Sequence, residues 1–241
     1  MAELRNTKMR IEIPSGENEK GLGRKEIKEL VENAAKDGID TVKIIGTEPI
    51  ENPEIVKIVK DIARIEGIKD ISIATKGKVL EPKAQQLKEA GLSRVTFNLD
   101  TLLPIRYVGG DINDVVKGIN AATDNGLKPV KINVLLQKGY NDDEIMDYVQ
   151  LTFQHEYEIR FIEMTEEEEA ASKYDFMSCE EVKAKLPALR PAVLDKDGNL
   201  SEDPRCGIAD VYKYPGARGK ICFIAKRAED FEERTAAVFV K

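Results

Sequence analysis

Between residues 8 and 163, short β-branched runs alternate with amphipathic stretches, giving six strands in succession, and few folds accommodate that rhythm. Residues 8–13 (KMRIEI) read as a strand, and 21–36 as a helix with Ile27, Leu30, Val31 and Ala34 on one face. Further strands fall at 41–45, 70–75, 94–99, 129–136 and 158–163, separated by helices at 53–65, 82–90, 112–125 and 142–153. Gly38, Gly67, Gly91 and Gly126 each follow a helix, where the chain commonly turns through a left-handed conformation before the next strand. Repeated strand–helix cycles of about 25–35 residues call for parallel strands joined by right-handed crossovers. A complete eight-fold barrel takes about 250 residues, whereas this alternation stops near residue 164. The expected fold class is therefore α/β, a partial (β/α)6 TIM-like barrel, with an open flavodoxin-like sheet as the alternative.

The remainder differs in texture, so the expected division is a barrel at 1–165 and a β-rich extension at 166–241. Glu166 to Glu169 form an acidic run, read as a solvated loop. Residues 178–186 read as a short helix, with Ser178 as cap and Glu181 three positions on. Turns are expected at Asp197-Gly198, Tyr214-Pro215-Gly216 and Arg218-Gly219, between short strands. The stretch from Asp195 has some likeness to a calcium loop, but its glycine is fourth and its twelfth residue is Cys206. A hairpin turn is expected there.

Composition excludes several functions. Lys and Arg number 37 against 44 Asp and Glu, a net charge of −7, so binding to nucleic acid through bulk charge is not expected. The longest apolar runs, such as Val134 to Leu136, are too short to span a bilayer, and no signal-peptide pattern opens the chain. The expected compartment is the cytosol. Cys179, Cys206 and Cys222 lack any short-spaced pair, so they read as small buried residues rather than metal ligands. The one histidine, His155, reads as a surface or capping residue near a helix end.

In a parallel barrel, alternate strand residues face the interior and the site forms at the strands' C-terminal ends. Placing the apolar neighbours under the helices turns Arg10 and Glu12, Lys43, Lys131 and Asn133, and Arg160 and Ile162 to the interior. An unpaired buried charge costs several kcal/mol, so the four cations need partners. The partners are either Glu12, Asp100 and Glu163, or a polyanionic ligand such as a triphosphate. Loops after consecutive strands add polar groups: Gly46-Thr47-Glu48-Pro49, Ala74-Thr75-Lys76-Gly77 and Asn98-Leu99-Asp100-Thr101. Glu48 in the first is placed to grip an ammonium or hydroxyl group.

From about Lys8 to Phe231 the chain resembles the molybdenum cofactor biosynthesis protein A family, the radical S-adenosylmethionine (SAM) GTP 3′,8-cyclases. Gly46-Thr47-Glu48-Pro49 is similar to that family's Gly-Gly-Glu-Pro loop. Ala74-Thr75-Lys76-Gly77 is similar to its Thr-Thr-Asn-Gly turn, and Asn98-Leu99-Asp100-Thr101 to its Ser-Leu-Asp-Ser. Val130 to Asn133, Gly139 to Asp142, Arg160 to Glu163 and Tyr214 to Ile221 complete the likeness. The resemblance implies a radical SAM barrel with Arg10, Lys43, Lys131 and Arg160 around substrate phosphates, and with Gly46, Thr47, Glu48, Thr75 and Asn98 on the SAM side. A further family lysine is Thr41 here.

The family's CxxxCxxC loop, which would bind a [4Fe–4S] cluster, has no counterpart. After Met9 to Pro14 comes Ser15 to Gly23 without a cysteine; an alternative register puts Ala2, Asn6 and Met9 at the three positions. Asp230 to Thr235 stand where the family's C-terminal cysteines begin. Reductive cleavage of SAM needs an electron from such a cluster, so neither a cluster nor radical catalysis is expected. The expectation is a cluster-free homologue that binds GTP or another phosphorylated small molecule, with SAM as a second ligand by resemblance and no metal, nucleic acid or membrane partner. Three alternatives stand beside it. One is an interaction or regulatory protein packing against a cluster-containing relative; another is an engineered or truncated form of the cyclase. The third is a non-radical enzyme using Glu48, Glu163 and Lys131 as acid–base groups.

Overall fold

The computed structural model describes residues 7–16, 21–194, 205–206, 208–234 and 238–240. They divide into two compact units, the first running to Asn98 with 111–130 and the last strand, the second holding 99–110 and 131–234.

In the first unit, β1 (Lys8–Glu12), α1 (Arg24–Lys36), β2 (Thr41–Ile45), α2 (Ile55–Ala63), β3 (Asp70–Thr75), α3 (Ala84–Ala90), β4 (Arg94–Asn98) and α4 (Ile112–Asp124) follow in order. β1, β2, β3 and β4 pair in parallel, neighbour to neighbour. The expected alternation is present: Met9, Ile11, Ile13, Val42 and Ile44 are buried, while Arg10 and Lys43 on the other parity are half-buried and lie side by side in register. The helices close the apolar face through Ile27 and Val31 of α1 and Ile55, Ile58, Val59 and Ile62 of α2. Gly38, Gly67, Gly91 and Gly126 have φ of 96°, 95°, 109° and 67°, the left-handed turn their positions required.

The second unit begins with β5 (Lys131–Leu135), α5 (Ile145–Gln154) and β6 (Glu158–Ile162). It continues with α6 (Glu166–Ala171), α7 (Cys179–Ala184), β7 (Arg190–Pro191), β8 (Arg205–Cys206), β9 (Ala209–Lys213), β10 (Lys220–Ile224) and α8 (Phe231–Arg234). β5 pairs β6 in parallel, and β10 lies parallel on the other side of β6 before β9 turns back antiparallel. Val134, Ile132, Ile159, Phe161, Ile221 and Phe223 form one buried apolar face of this sheet. A second cluster, Ala209, Val211, Cys222 and Ile224, packs with Ile162 and Phe231. The last strand, β11 (Val238–Val240), belongs to the first unit and pairs with β1 in parallel.

Three expectations need correction. The acidic run is not a loop but helix α6: Thr165 Oγ1 accepts the Glu168 amide at 3.1 Å while Glu168 accepts the Thr165 amide at 2.8 Å. Lys226 and Arg227 then pair with Glu168 and Glu169 at 2.7 Å, offsetting the repulsion among the four glutamates. Cys206 is exposed, whereas Cys179 and Cys222 are buried as expected. Helices start later than the periodicity suggests, α1 at Arg24 and α5 at Ile145. The Ser178–Glu181 cap of α7 is as expected, and His155 is the C-cap of α5, stacked on Tyr157. The hairpin at Asp197-Gly198 lies outside the described residues, as do Ala2 and Asn6.

Candidate functional site

In the first unit, the residues assigned by resemblance to the SAM side gather at the C-terminal ends of β2, β3 and β4. Gly46 leaves β2 at φ 150°, and a β-carbon on it would lie 2.4 Å from the Ile13 carbonyl oxygen, so only glycine lets β1 and β2 end so close together. Thr47 is exposed beside it. Glu48 is buried, and its amide donates to Ser15 Oγ at 2.8 Å. Its carboxylate accepts the Thr75 hydroxyl, the Lys76 amide at 2.7 Å and the Ile50 amide at 3.4 Å. Thr75 Oγ1 in turn accepts the Gly77 amide at 2.9 Å. Through these protein donors Glu48 holds the β2 and β3 loops in place. Asn98 ends β4, exposed. Below these loops Arg10 and Lys43 occupy adjacent register positions, with Ser72 next to Lys43 on β3.

In the second unit, Lys131 and Arg160 meet a partner that the sequence reading missed. Lys131 Nζ lies 2.7 Å from Glu158 Oε2, and Arg160 Nε lies 4.0 Å from Glu158 Oε1. Cys222 Sγ donates to Glu158 Oε1 at 3.3 Å. Burial pushes the Glu158 carboxyl toward its neutral form, but the charges of Lys131 and Arg160 outweigh that and hold it below the ordinary range. Burial beside the Glu158 charge drives the Cys222 thiol far upward.

The carboxylates expected to neutralise the cations are engaged elsewhere. Asp100 Oδ1 accepts the Leu135 amide at 2.8 Å, and Glu163 Oε1 accepts the Cys179 amide at 2.8 Å. Glu12 is exposed. Burial raises Asp100 above the usual carboxylate range, against the Leu135 hydrogen bond and with the Glu168 charge adding to the rise. A second set of residues unanticipated from sequence fixes the loop after β4. Buried Glu144 accepts from Thr101 Oγ1 at 2.7 Å, from the Leu102 amide at 2.6 Å and from Arg106 at 3.0 Å. Arg106 also forks onto Asp143, which is held below the usual range mainly by that bond. Thr101, Arg106 and Glu144 are ordinary residues in sequence; only the turn from 136 to 145 brings them together.

The chain's three cysteines are separate in this arrangement. Cys179 Sγ lies 3.8 Å from the Phe161 carbonyl and Cys222 Sγ beside Glu158, while Cys206 is exposed. Among the described residues, no three His, Cys, Asp or Glu side chains converge as a metal site. No helix of the described residues is long and apolar enough to cross a membrane.

Parallel strand–helix units with polar loops at the C-terminal strand ends define an α/β fold of the partial-barrel type. Residues 10–152 match the model of the radical SAM superfamily. The chain belongs to that superfamily and, within it, to the GTP 3′,8-cyclase family. It is 38% identical over 218 residues to the GTP 3′,8-cyclase of Alkaliphilus metalliredigens, covering 88% of this chain and 65% of that protein. It is 37% identical to the GTP 3′,8-cyclase of Moorella thermoacetica, covering 92% of this chain and 69% of that protein. The chain thus spans about two thirds of the length of these relatives. Among solved structures, Streptococcus suis SuiB bound to precursor peptide SuiA superposes with a TM-score of 0.63 at 15% identity, over 75% of this chain and 45% of that one. That likeness supports the fold, a partial TIM-like barrel of the radical SAM type.

The superfamily's name implies SAM and an iron–sulfur cluster. The donor set here does not fit a cluster, which takes three or four thiolates. Two of the chain's three thiols are buried at separate places with their ionisation suppressed, and the described part of the loop after β1 offers none.

Proposed function

We propose that this chain is a cluster-free homologue of GTP 3′,8-cyclase that binds GTP or another phosphorylated small molecule without radical catalysis. One observation carries the reading: the cations Arg10, Lys43, Lys131 and Arg160 stand on the polar parity of their strands, half-buried, in a chain without cluster thiolates. Cations so placed can donate charge-assisted hydrogen bonds to phosphate oxygens beside the partners they already have. The relatives' name supplies GTP as the first candidate. SAM is the second, at Gly46, Thr47, Glu48, Thr75 and Asn98. The proposed compartment is the cytosol.

Calorimetric titration with GTP and separately with SAM tests this, with Lys43→Ala and Arg160→Ala as controls. Micromolar GTP binding that drops at least about tenfold in each variant is expected, since each removes a charge-assisted contact. No heat from either ligand at millimolar concentration overturns the reading.

An interaction role has its own support. On the loop held by Arg106, Ile105 and Val108 are 92% and 97% exposed. Co-elution with a cluster-containing cyclase, lost in Ile105→Ser, would favour that role over ligand binding.

A further inference from the structure

Lys131, Glu158 and Lys220 share one register row across β5, β6 and β10, and Asn133, Arg160 and Cys222 share the row two residues further on, on the same face. Glu158 therefore stands among the groups that an anion would use. Its carboxylate serves them unequally. Lys131 is met at 2.7 Å, but Arg160 Nε, at 4.0 Å, is beyond hydrogen-bond reach. That Nε is buried and has no hydrogen-bond partner among the described residues, and the Arg160 side chain is only 13% exposed. A buried N–H without an acceptor is destabilising, and an oxygen delivered by a ligand would satisfy it.

From this geometry we infer that Glu158 is a resident counter-anion that sets the charge selectivity of the Lys131–Arg160 site. The inference rests on the anion-binding reading above. Lys131 and Arg160 contribute two positive charges and Glu158 one negative, so the cluster presents a single net positive charge. An entering phosphoryl oxygen gains the open Arg160 N–H but must share Lys131 with a carboxylate of its own sign. The penalty grows with each negative charge the ligand brings close. A ligand with one anionic group toward Arg160, and a hydroxyl or N–H toward Glu158, avoids most of it. Bare polyphosphate meets it in full. Glu158 thus favours a nucleotide, which can turn a ribose hydroxyl or a base N–H toward it, over an inorganic polyanion, which has no such donor.

The test is titration of wild type, Glu158→Gln, Glu158→Asp and Lys131→Ala with GTP and with inorganic tripolyphosphate. Glu158→Gln is expected to tighten tripolyphosphate at least about tenfold and GTP by less, narrowing the preference between them. Glu158→Asp keeps the charge but withdraws it by one methylene, so a smaller gain, about two- to fivefold, is expected. Damage to the site lowers affinity, so a gain cannot come from misfolding; should Glu158→Gln fail to fold, Glu158→Asp decides. Unchanged or weaker tripolyphosphate binding in the folded variants, with wild-type binding intact and Lys131→Ala impaired, overturns the counter-anion role and leaves the anion-binding reading standing. No binding of either probe by wild type or any Glu158 variant at millimolar concentration removes both.

Discussion

The carboxylate of Glu48 accepts the Lys76 amide at 2.7 Å, tying the end of β2 to the end of β3. The same carboxylate takes the Thr75 hydroxyl and the Ile50 amide, so one side chain satisfies three donors around the loops of the candidate site. Glu48→Ala leaves those donors without their acceptor in a buried place and is expected to cost about 3–5 kcal/mol. Thr75→Val removes one hydroxyl and the acceptor of the Gly77 amide, and is expected to cost about 1–2 kcal/mol. Urea unfolding gives both values from the shift in midpoint at constant slope. Hydrogen exchange locates the effect, with protection of the Lys76 amide lost in Glu48→Ala. Equal costs for the two variants would contradict the central place given to Glu48.

Much of this architecture is legible in the sequence, and the parts that are not share a cause. The strands at 41–45 and 70–75 lie where alternation puts them, because Val42, Ile44, Ile71 and Ile73 supply an apolar face that only one register buries. The start of α1 was harder to see: its cap is Gly23, which offers no side chain, and Glu26 takes the Gly23 amide instead. The acidic helix α6 carried a local signal in Thr165 and Glu168. The countercharges that make four glutamates tolerable are Lys226 and Arg227, some sixty residues further on. At the candidate site, parity alone singled out Lys131 and Arg160. Glu158 was hidden because its place opposite Lys131 depends on how β5 and β6 are registered, which neither strand encodes by itself. Asp100 and Glu163 looked like partners from composition, yet backbone amides claim them. Long-range register and competition from the backbone are what a linear reading lacks.

Asp100 supplies a pH signature. Burial lifts its carboxyl above the ordinary value of 3.8, and the Leu135 hydrogen bond only partly offsets this. The native chain therefore holds the Asp100 proton more firmly than the unfolded chain does. That contribution to stability is fully present below the ordinary carboxyl value and is lost as pH rises through the raised native value. Asp100→Asn keeps an oxygen for the Leu135 amide and removes the buried charge. The variant is expected to be more stable than wild type at pH 7, with the gap closing as pH falls from the raised native value toward the unperturbed carboxyl value of about 4 and absent below it. Thermal melts from pH 3.5 to 7 check this. A variant that loses stability at pH 7 would mean the ionised carboxylate is needed for the loop after β4.

The three thiols report on the packing beneath the candidate anion site. Cys206 is exposed, while Cys179 and Cys222 are buried and both are driven upward, first by burial and then by the charges of Glu163 and Glu158 respectively. Alkylation requires a thiolate and access, and the two buried thiols have neither in the native state. Iodoacetamide at pH 8 is expected to add one adduct to the native chain, at Cys206, with the other two reacting at least about a hundredfold more slowly until the chain is unfolded. Mass spectrometry of intact and digested protein distinguishes the sites. The outcome at Cys222 bears on more than packing. Its thiol is hydrogen-bonded to the carboxylate that Lys131 and Arg160 share, so rapid labelling there would show that β10 does not seal that cluster. Open to water, the cluster would have its charges screened, and a phosphate would gain less from Lys131 and Arg160.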